Sequence, residues 1–182
     1  MSKRTLRPKK ITYTRLKNDN TEIVNSTVHV RDKEISKGRI KKEPDLPDGY
    51  QFTAFTSDKG KRNIKNFIER SYGSDREFIY PANTKFYGIV GPDKKIKAAG
   101  EVYRMNWAIS ESRHLVVDPD ERGAGFGKKM LEYLDHKTET PVNTLTTKNP
   151  YVERMARTLN YEKQRNAEGP SGDKIGIYIK NM

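Results

Sequence analysis

The sequence contains no cysteine. Disulfides, thiolate metal sites and a cysteine nucleophile are therefore excluded. Histidine is nearly as scarce: His29, His114 and His136 are the only three, and their spacing fits no structural zinc site. Apolar residues make up 33% of the chain. No apolar run approaches the roughly 18 residues that a membrane span needs. The opening Met1-Ser2-Lys3-Arg4 is basic, but no apolar stretch follows, so it does not read as a secretory signal. These absences predict a cytoplasmic protein with no membrane partner and no metal. A chain of 182 residues suits one core-stabilised domain with an appendage.

Charge is what the sequence has in abundance. Charged residues make up 33% of the chain, and the formal net charge is +12. A field of that sign attracts polyanions, whether nucleic acid, acidic protein or an anionic cofactor. It specifies attraction and not chemistry. Residues 1–50 hold 13 Lys and Arg against 7 Asp and Glu, a net +6. Within them, Ile11–Leu16 and Ile23–Val30 are rich in β-branched residues on either side of Asn18-Asp19-Asn20, which predicts a β-hairpin. Pro44-Asp45-Leu46-Pro47-Asp48-Gly49 then reads as a linker. The first 50 residues form a basic N-terminal extension. Residues 1–42 are its candidate surface for nucleic acid or an acidic protein.

After the linker, helical and extended patterns alternate. Gln51–Thr56 reads as a strand and Asp58 as the cap of the next helix, whose apolar face is Ile64, Phe67, Ile68 and Tyr72. Thr84–Val90 and Lys95–Met105 are strands around the turn Gly91-Pro92-Asp93-Lys94. Arg113–Val117 is a short strand, Gly123–His136 a helix, Val142–Thr147 a strand and Pro150–Leu159 a helix. Tyr161–Arg165 and Lys174–Lys180 form a closing hairpin around residues 169–173. The order β-α-β-β-β-α-β-α-β-β is a mixed α/β plan.

The chemistry is concentrated in Leu115-Val116-Val117-Asp118-Pro119-Asp120-Glu121-Arg122-Gly123-Ala124-Gly125-Phe126-Gly127-Lys128-Lys129. A strand runs into a glycine-rich turn that opens a helix. The first amides of a helix lack intrahelical partners, and the helix dipole places partial positive charge at the same end. Glycines let a bulky anion reach that bare backbone, so the segment has the makings of a phosphate cradle. It is neither a Walker A loop nor a dinucleotide fingerprint, because the glycine spacing fits neither.

Arg122-Gly123-Ala124-Gly125-Phe126-Gly127 resembles the cofactor signature Arg/Gln-x-x-Gly-x-Gly/Ala of the GNAT superfamily of acetyl-CoA-dependent N-acetyltransferases. Asn149, the helix after it and Leu159-Asn160-Tyr161 are similar to a second block of that family. The resemblance covers residues 51–182. It implies a central mixed, mostly antiparallel sheet flanked by helices, with acetyl-CoA as co-substrate. It implies that the amides of Arg122, Gly123, Ala124, Gly125, Phe126 and Gly127, with Lys128 beside them, hold the pyrophosphate. It further implies that Leu115, Val116 and Val117 pair with the pantetheine arm like an added strand, and that Asn149 contacts that arm. The family often dimerises, so a homodimer is also implied.

The implied reaction is attack by a primary amine on the acetyl group within a ternary complex. At pH 7 a lysine-like amine is only about 0.04% neutral, so a base is useful. Glu111, His114 and Glu101 are the candidates. Where the family often keeps a tyrosine to protonate the leaving thiolate, this sequence has Ala156, and Tyr151 and Tyr161 are out of register. A lost general acid costs about 10² to 10⁴ in rate. The alternative reading is a GNAT-like binding protein with weak or no activity, its basic N-terminus contacting nucleic acid or a protein. Tyr13, Tyr72, Tyr80, Tyr87, Tyr103 and Trp107 are candidates to line an acceptor groove, with Met105–Ile109 near it.

Overall fold

A computed structural model describes residues 9–15, 24–30, 43–73, 78–168 and 172–182. The chain divides into two units, Met1–Lys42 and Glu43–Met182. In the first, β1 (Lys9–Arg15) pairs antiparallel with β2 (Val24–Val30), from Lys9 opposite Val30 to Arg15 opposite Val24. These are the strands of the expected hairpin; the Asn18–Asn20 turn lies outside the described residues.

The second unit is a seven-stranded sheet with three helices. In chain order its elements are β3 (Gln51–Ala54), α1 (Asp58–Tyr72), β4 (Thr84–Val90), β5 (Ile96–Arg104), β6 (Ile109–Val117), α2 (Phe126–Lys137), β7 (Val142–Thr147), α3 (Pro150–Thr158), β8 (Glu162–Glu168) and β9 (Lys174–Asn181). The spatial order is β3-β4-β5-β6-β7-β9-β8. Every neighbouring pair is antiparallel except β6 with β7, which is parallel. The sheet is therefore mixed and mostly antiparallel, as expected.

Alternation along the strands sends neighbouring residues to opposite faces. Phe86, Ala99 and Val116 meet Ile64 and Ile68 of α1 on one face. Tyr87, Ile89, Ala98 and Val102 meet Phe126, Met130 and Leu134 of α2 on the other. Leu131, Ala156, Leu159 and Tyr178 continue that second layer beneath α3. Residues 44–49, read as a linker, belong to the second unit. Leu46 and Tyr50 pack against the α2 layer.

Local chemistry sets the boundaries. The cap of α1 is Ser57 and not Asp58: its backbone is extended and its Oγ accepts from the Gly60 amide at 3.1 Å. Asp58 instead places a carboxylate in the first turn, where the dipole favours it. α2 starts at Phe126, three residues later than the periodicity suggested, because Gly123 and Gly125 take φ of 87° and 81°. β6 starts four residues earlier than expected, at Ile109. Its first half, Ile-Ser-Glu-Ser, looks too polar for a central strand, yet Ser110, Glu111 and Ser112 are all buried.

Those polar residues belong to a network that crosses the layers. Asn143 Nδ2 lies 2.8 Å from Ser112 Oγ, 2.9 Å from Asp135 Oδ1 and 2.8 Å from Tyr161 Oη. Tyr161 also donates to Asp135, and Lys180 Nζ reaches Asp135 Oδ2 at 2.6 Å. Asp135 is 3% exposed, so its charge depends on these partners. Burial, then Asp135 beside it, pushes the Tyr161 hydroxyl pKa well above its usual value. Among the described residues no helix is long and apolar enough to cross a membrane.

Removing one partner of this buried pair leaves a charge uncompensated. Lys180→Met should lower the unfolding free energy by about 3 kcal/mol in urea titrations. A phenol whose pKa is raised in the fold is favoured in its neutral form there. Stability should therefore be intact below about pH 10 and fall as pH rises past it. Tyr161→Phe should make that alkaline loss shallower while costing about 1–3 kcal/mol at neutral pH.

Candidate functional site

The two parallel strands at the centre of the sheet do not stay together. β6 pairs with β7 over only four positions, from Ile109 opposite Val142 to Ser112 opposite Leu145. β7 then continues with β9, Thr146 opposite Ile177 and Thr147 opposite Gly176. Among the described residues, Arg113, Val116 and Val117 of β6 pair with β5 alone, and His114 and Leu115 lie in the irregular stretch between them. The result is a fork with one free strand edge along Leu115, Val116 and Val117.

A bulge lies where the strands part. On β5 two positions, Ala99 to Glu101, span three on β6, Val116 back to Arg113. The extra residue puts His114 at a φ of 48°, a region that histidine enters more readily than most side chains. Such a bulge bends its strand and redirects its side chains. Opposite it, Gly100 leaves room for α2: a Cβ there would lie 2.8 Å from Leu134 Cδ1.

The glycine-rich turn closes the top of the fork. The Asp118 amide donates to Lys97 O at 2.8 Å, and its carboxylate accepts from the Asp120 amide at 3.1 Å. Lys97 reaches Glu121 at 3.3 Å, bracing the turn from the neighbouring hairpin. Gly125 caps α2 in the left-handed conformation and offers no side chain to the first-turn amides. A Cβ built on Gly123 or Gly125 would meet nothing within 4 Å, so the space over those amides is open. The Phe126 ring is buried and lies 4.9 Å from that of Tyr50, leaving only its backbone for a ligand. Arg122, Ala124 and Lys128 are exposed. Lys129 is committed elsewhere, donating to Asp45 O.

Asn149 stands at the end of β7 as the cap of α3. Its Oδ1 accepts from the Tyr151 amide at 2.9 Å, which leaves the Nδ2 donors for other partners. Ala156 is fully buried beside Leu131, Tyr161 and Tyr178. Tyr161 is spent on Asp135, and Tyr151 is 72% exposed.

On the α1 face, five polar side chains gather beside the bulge. His114 Nδ1 lies 3.0 Å from Glu101 Oε1, and Arg113 Nε lies 3.4 Å from the same oxygen. Arg113 is 3.9 Å from Glu111 Oε2, and Thr146 donates to Glu111 Oε1 at 3.1 Å. The rings of Phe78, Tyr80 and Tyr72 surround the imidazole at centroid distances of 5.1, 5.8 and 6.0 Å. Burial first, then the charges of Glu69 and Glu101, raise the Tyr80 hydroxyl pKa far above its ordinary value.

The sequence-derived aromatic set divides here. Tyr72 and Tyr80 join the cluster, while Tyr103 lies under the Arg113 guanidinium at 5.6 Å. Tyr87 packs on the opposite face against Tyr133. Trp107, 69% exposed, sits in the β5–β6 turn at the end of β6 away from the cradle. The side chain of Tyr13 lies outside the described residues. Phe78 was missed because it follows no periodic pattern.

A fork between two central parallel strands, topped by a glycine-rich helix start, is a distinctive arrangement. No family model matches the sequence, and neither does any curated protein. Solved structures do match. A mutant of the spermidine N-acetyltransferase from Vibrio cholerae superposes with a TM-score of 0.58 at 11% identity, over 74% of this chain and 95% of that one. The same enzyme in complex with CoA and spermine gives 0.57 at 12% identity, over 74% and 96%. A Klebsiella pneumoniae protein named for acyl-CoA N-acyltransferase activity gives 0.54 at 19% identity, over 72% and 97%. Residues 43–182 adopt a GNAT-like fold. At these identities the likeness is one of fold.

The two kinds of glycine in the turn should respond oppositely to a methyl group. Gly125→Ala forces a left-handed φ on alanine and should cost about 1–2 kcal/mol in thermal unfolding. Gly127→Ala sits inside α2 with ordinary contacts of 3.4–3.5 Å to Met155 and Val117. It should be neutral or stabilise by about 0.5–1 kcal/mol.

Proposed function

We propose that the GNAT-like domain transfers an acetyl group from acetyl-CoA to a primary amine. The observation that carries this reading is the free edge of Leu115–Val117, followed through the glycine turn by the uncapped start of α2. An extended ligand with an anionic end fits that combination. Edge amides and carbonyls match the amide groups of a pantetheine arm. Open amides under a helix dipole match a pyrophosphate. The fold shared with spermidine N-acetyltransferases supports the same reading.

In this assignment Leu115, Val116 and Val117 hold the arm by backbone pairing. The amides of Gly123, Ala124, Gly125, Phe126 and Gly127 hold the pyrophosphate, with the Arg122 and Lys128 side chains adding positive charge; the Arg122 amide is taken up by Pro119 O at 3.3 Å. Asn149 contributes its free Nδ2 donors from across the fork. Bound acetyl-CoA supplies a thioester carbonyl open to attack by an amine. A β6 amide beside the bulge would stabilise charge developing on the carbonyl oxygen. Glu111 and His114 are the β6 side chains with proton-accepting chemistry on the face where an amine would arrive. With Ala156 in the buried layer, the leaving thiol takes its proton from water or from another group. The thiol's ordinary pKa of about 8.5 makes that tolerable.

Charge distribution favours a second partner. Residues 1–42 carry 13 Lys and Arg against 4 Asp and Glu, so +9 of the +12 belongs to the first unit. We assign that unit to nucleic acid. Filter retention of a labelled RNA should weaken steeply between about 50 and 200 mM salt, and removal of residues 1–42 should flatten the slope. Salt-independent retention would count against the assignment.

The cofactor reading is tested by thermal unfolding with acetyl-CoA, free CoA or ATP. Either CoA form at about 100 times its Kd should stabilise the intact chain by about 2.7 kcal/mol. ATP should give no comparable shift, and Gly125→Asp should abolish the CoA effect. No shift with millimolar acetyl-CoA would refute the reading.

A further inference from the structure

We infer that Glu101 is a positioning residue that fixes the tautomer of His114, so that His114 rather than Glu111 receives the proton of the acceptor amine. The inference rests on the acetyl-transfer reading above and deepens it.

Glu101 is fully buried in the middle of β5. A carboxylate without water depends on the donors the fold supplies, and Oε2 of Glu101 has none among the described residues. Its Oε1 is matched by Arg113 Nε at 3.4 Å and by His114 Nδ1 at 3.0 Å. An ionised carboxylate only accepts hydrogen bonds, so Nδ1 must carry its hydrogen. In a neutral imidazole the other nitrogen is then bare. Nε2 of His114 has no hydrogen-bond partner among the described residues. Its lone pair is free for an incoming proton.

The setting suits that task. Phe78, Tyr80 and Tyr72 enclose the ring, and the side chain keeps 20% exposure as a way in. The bulge sets His114 on β6 immediately before the Leu115–Val117 edge assigned to the pantetheine arm. Glu111 is differently placed. One of its oxygens accepts from the Thr146 hydroxyl at 3.1 Å and the other faces Arg113 at 3.9 Å. One oxygen is thus hydrogen-bonded, and the other stands near a guanidinium at a distance too long for a hydrogen bond.

The proton step balances within the chain and solvent. Nε2 takes one proton from the arriving ammonium, and the nitrogen lone pair is released for attack. The resulting imidazolium keeps its Nδ1 hydrogen on Glu101, whose negative charge stabilises it. Glu101 takes no proton at any point. The imidazolium later returns its proton to water.

With only His29, His114 and His136 in the chain, long-range nitrogen–hydrogen NMR correlations can resolve each imidazole. In the ligand-free protein, well above the ordinary imidazole pKa of about 6.5, His114 should show a protonated Nδ1 and a bare Nε2. Glu101→Leu should move the hydrogen largely to Nε2, and Glu101→Asp should restore part of the original pattern. Far-UV circular dichroism checks that each variant is folded. With acetyl-CoA and spermine as the probe, His114→Gln should slow transfer about 100-fold or more while leaving the CoA-induced thermal shift in place. A wild-type His114 with its hydrogen on Nε2 overturns the inference, with no variant needed. So does a folded Glu101→Leu protein with an unchanged tautomer, or His114→Gln at wild-type rate. Absence of any CoA-induced shift defeats the acetyl-transfer reading instead, and the tautomer measurement distinguishes the two failures.

Discussion

Asp135 is almost closed to water, so its charge has to be answered by the protein. Lys180 from β9, Asn143 from β7 and Tyr161 from the entry to β8 all converge on this α2 carboxylate. Asn143 extends the network to Ser112, the last residue of β6 that still pairs with β7. Five segments are thereby tied together at the level where the fork closes. Above that level, the extra residue at His114 bends β6 away from its partner. One half of the parallel pair is fastened by a buried charge, and the other half is held open by a bulge. The geometry of the cradle depends on both, because α2 carries Asp135 and its own start caps the fork.

The order of elements was legible because it rests on local chemistry. The apolar spacing of Ile64, Phe67 and Ile68 defines a helix face, and Gly91-Pro92-Asp93-Lys94 defines a turn without any tertiary contact. The glycine turn at residues 122–127 was legible for the same reason, since left-handed backbone and an uncapped helix start are written in glycine positions. The fork was not legible. Nothing in Leu115-Val116-Val117 distinguishes a strand paired on both sides from one paired on one side. That depends on where β7 begins and on which residues neutralise Asp135.

The same limit explains the polar half of β6. Ser110, Glu111 and Ser112 look like a solvated strand end in isolation, which is why the expected strand started at Arg113. Their burial becomes favourable only when Thr140, Asn143 and Thr146 stand across from them. The candidate bases could be named from the sequence as titratable residues on neighbouring strands. Their roles diverge only in three dimensions, where Glu101 meets an imidazole and Glu111 meets a hydroxyl.

The margins of the sheet complete the picture. One outer strand, β3, is four residues long, and the other, β8, is exposed and charged along most of its length. Short or charged edges are poor templates for a foreign strand. The apolar edge along Leu115–Val117 lies inside the fork, between β6 and β7. This sheet thus keeps its apolar unpaired backbone off its outer margins. A ligand that pairs with this inner edge would also cover a site for misassembly.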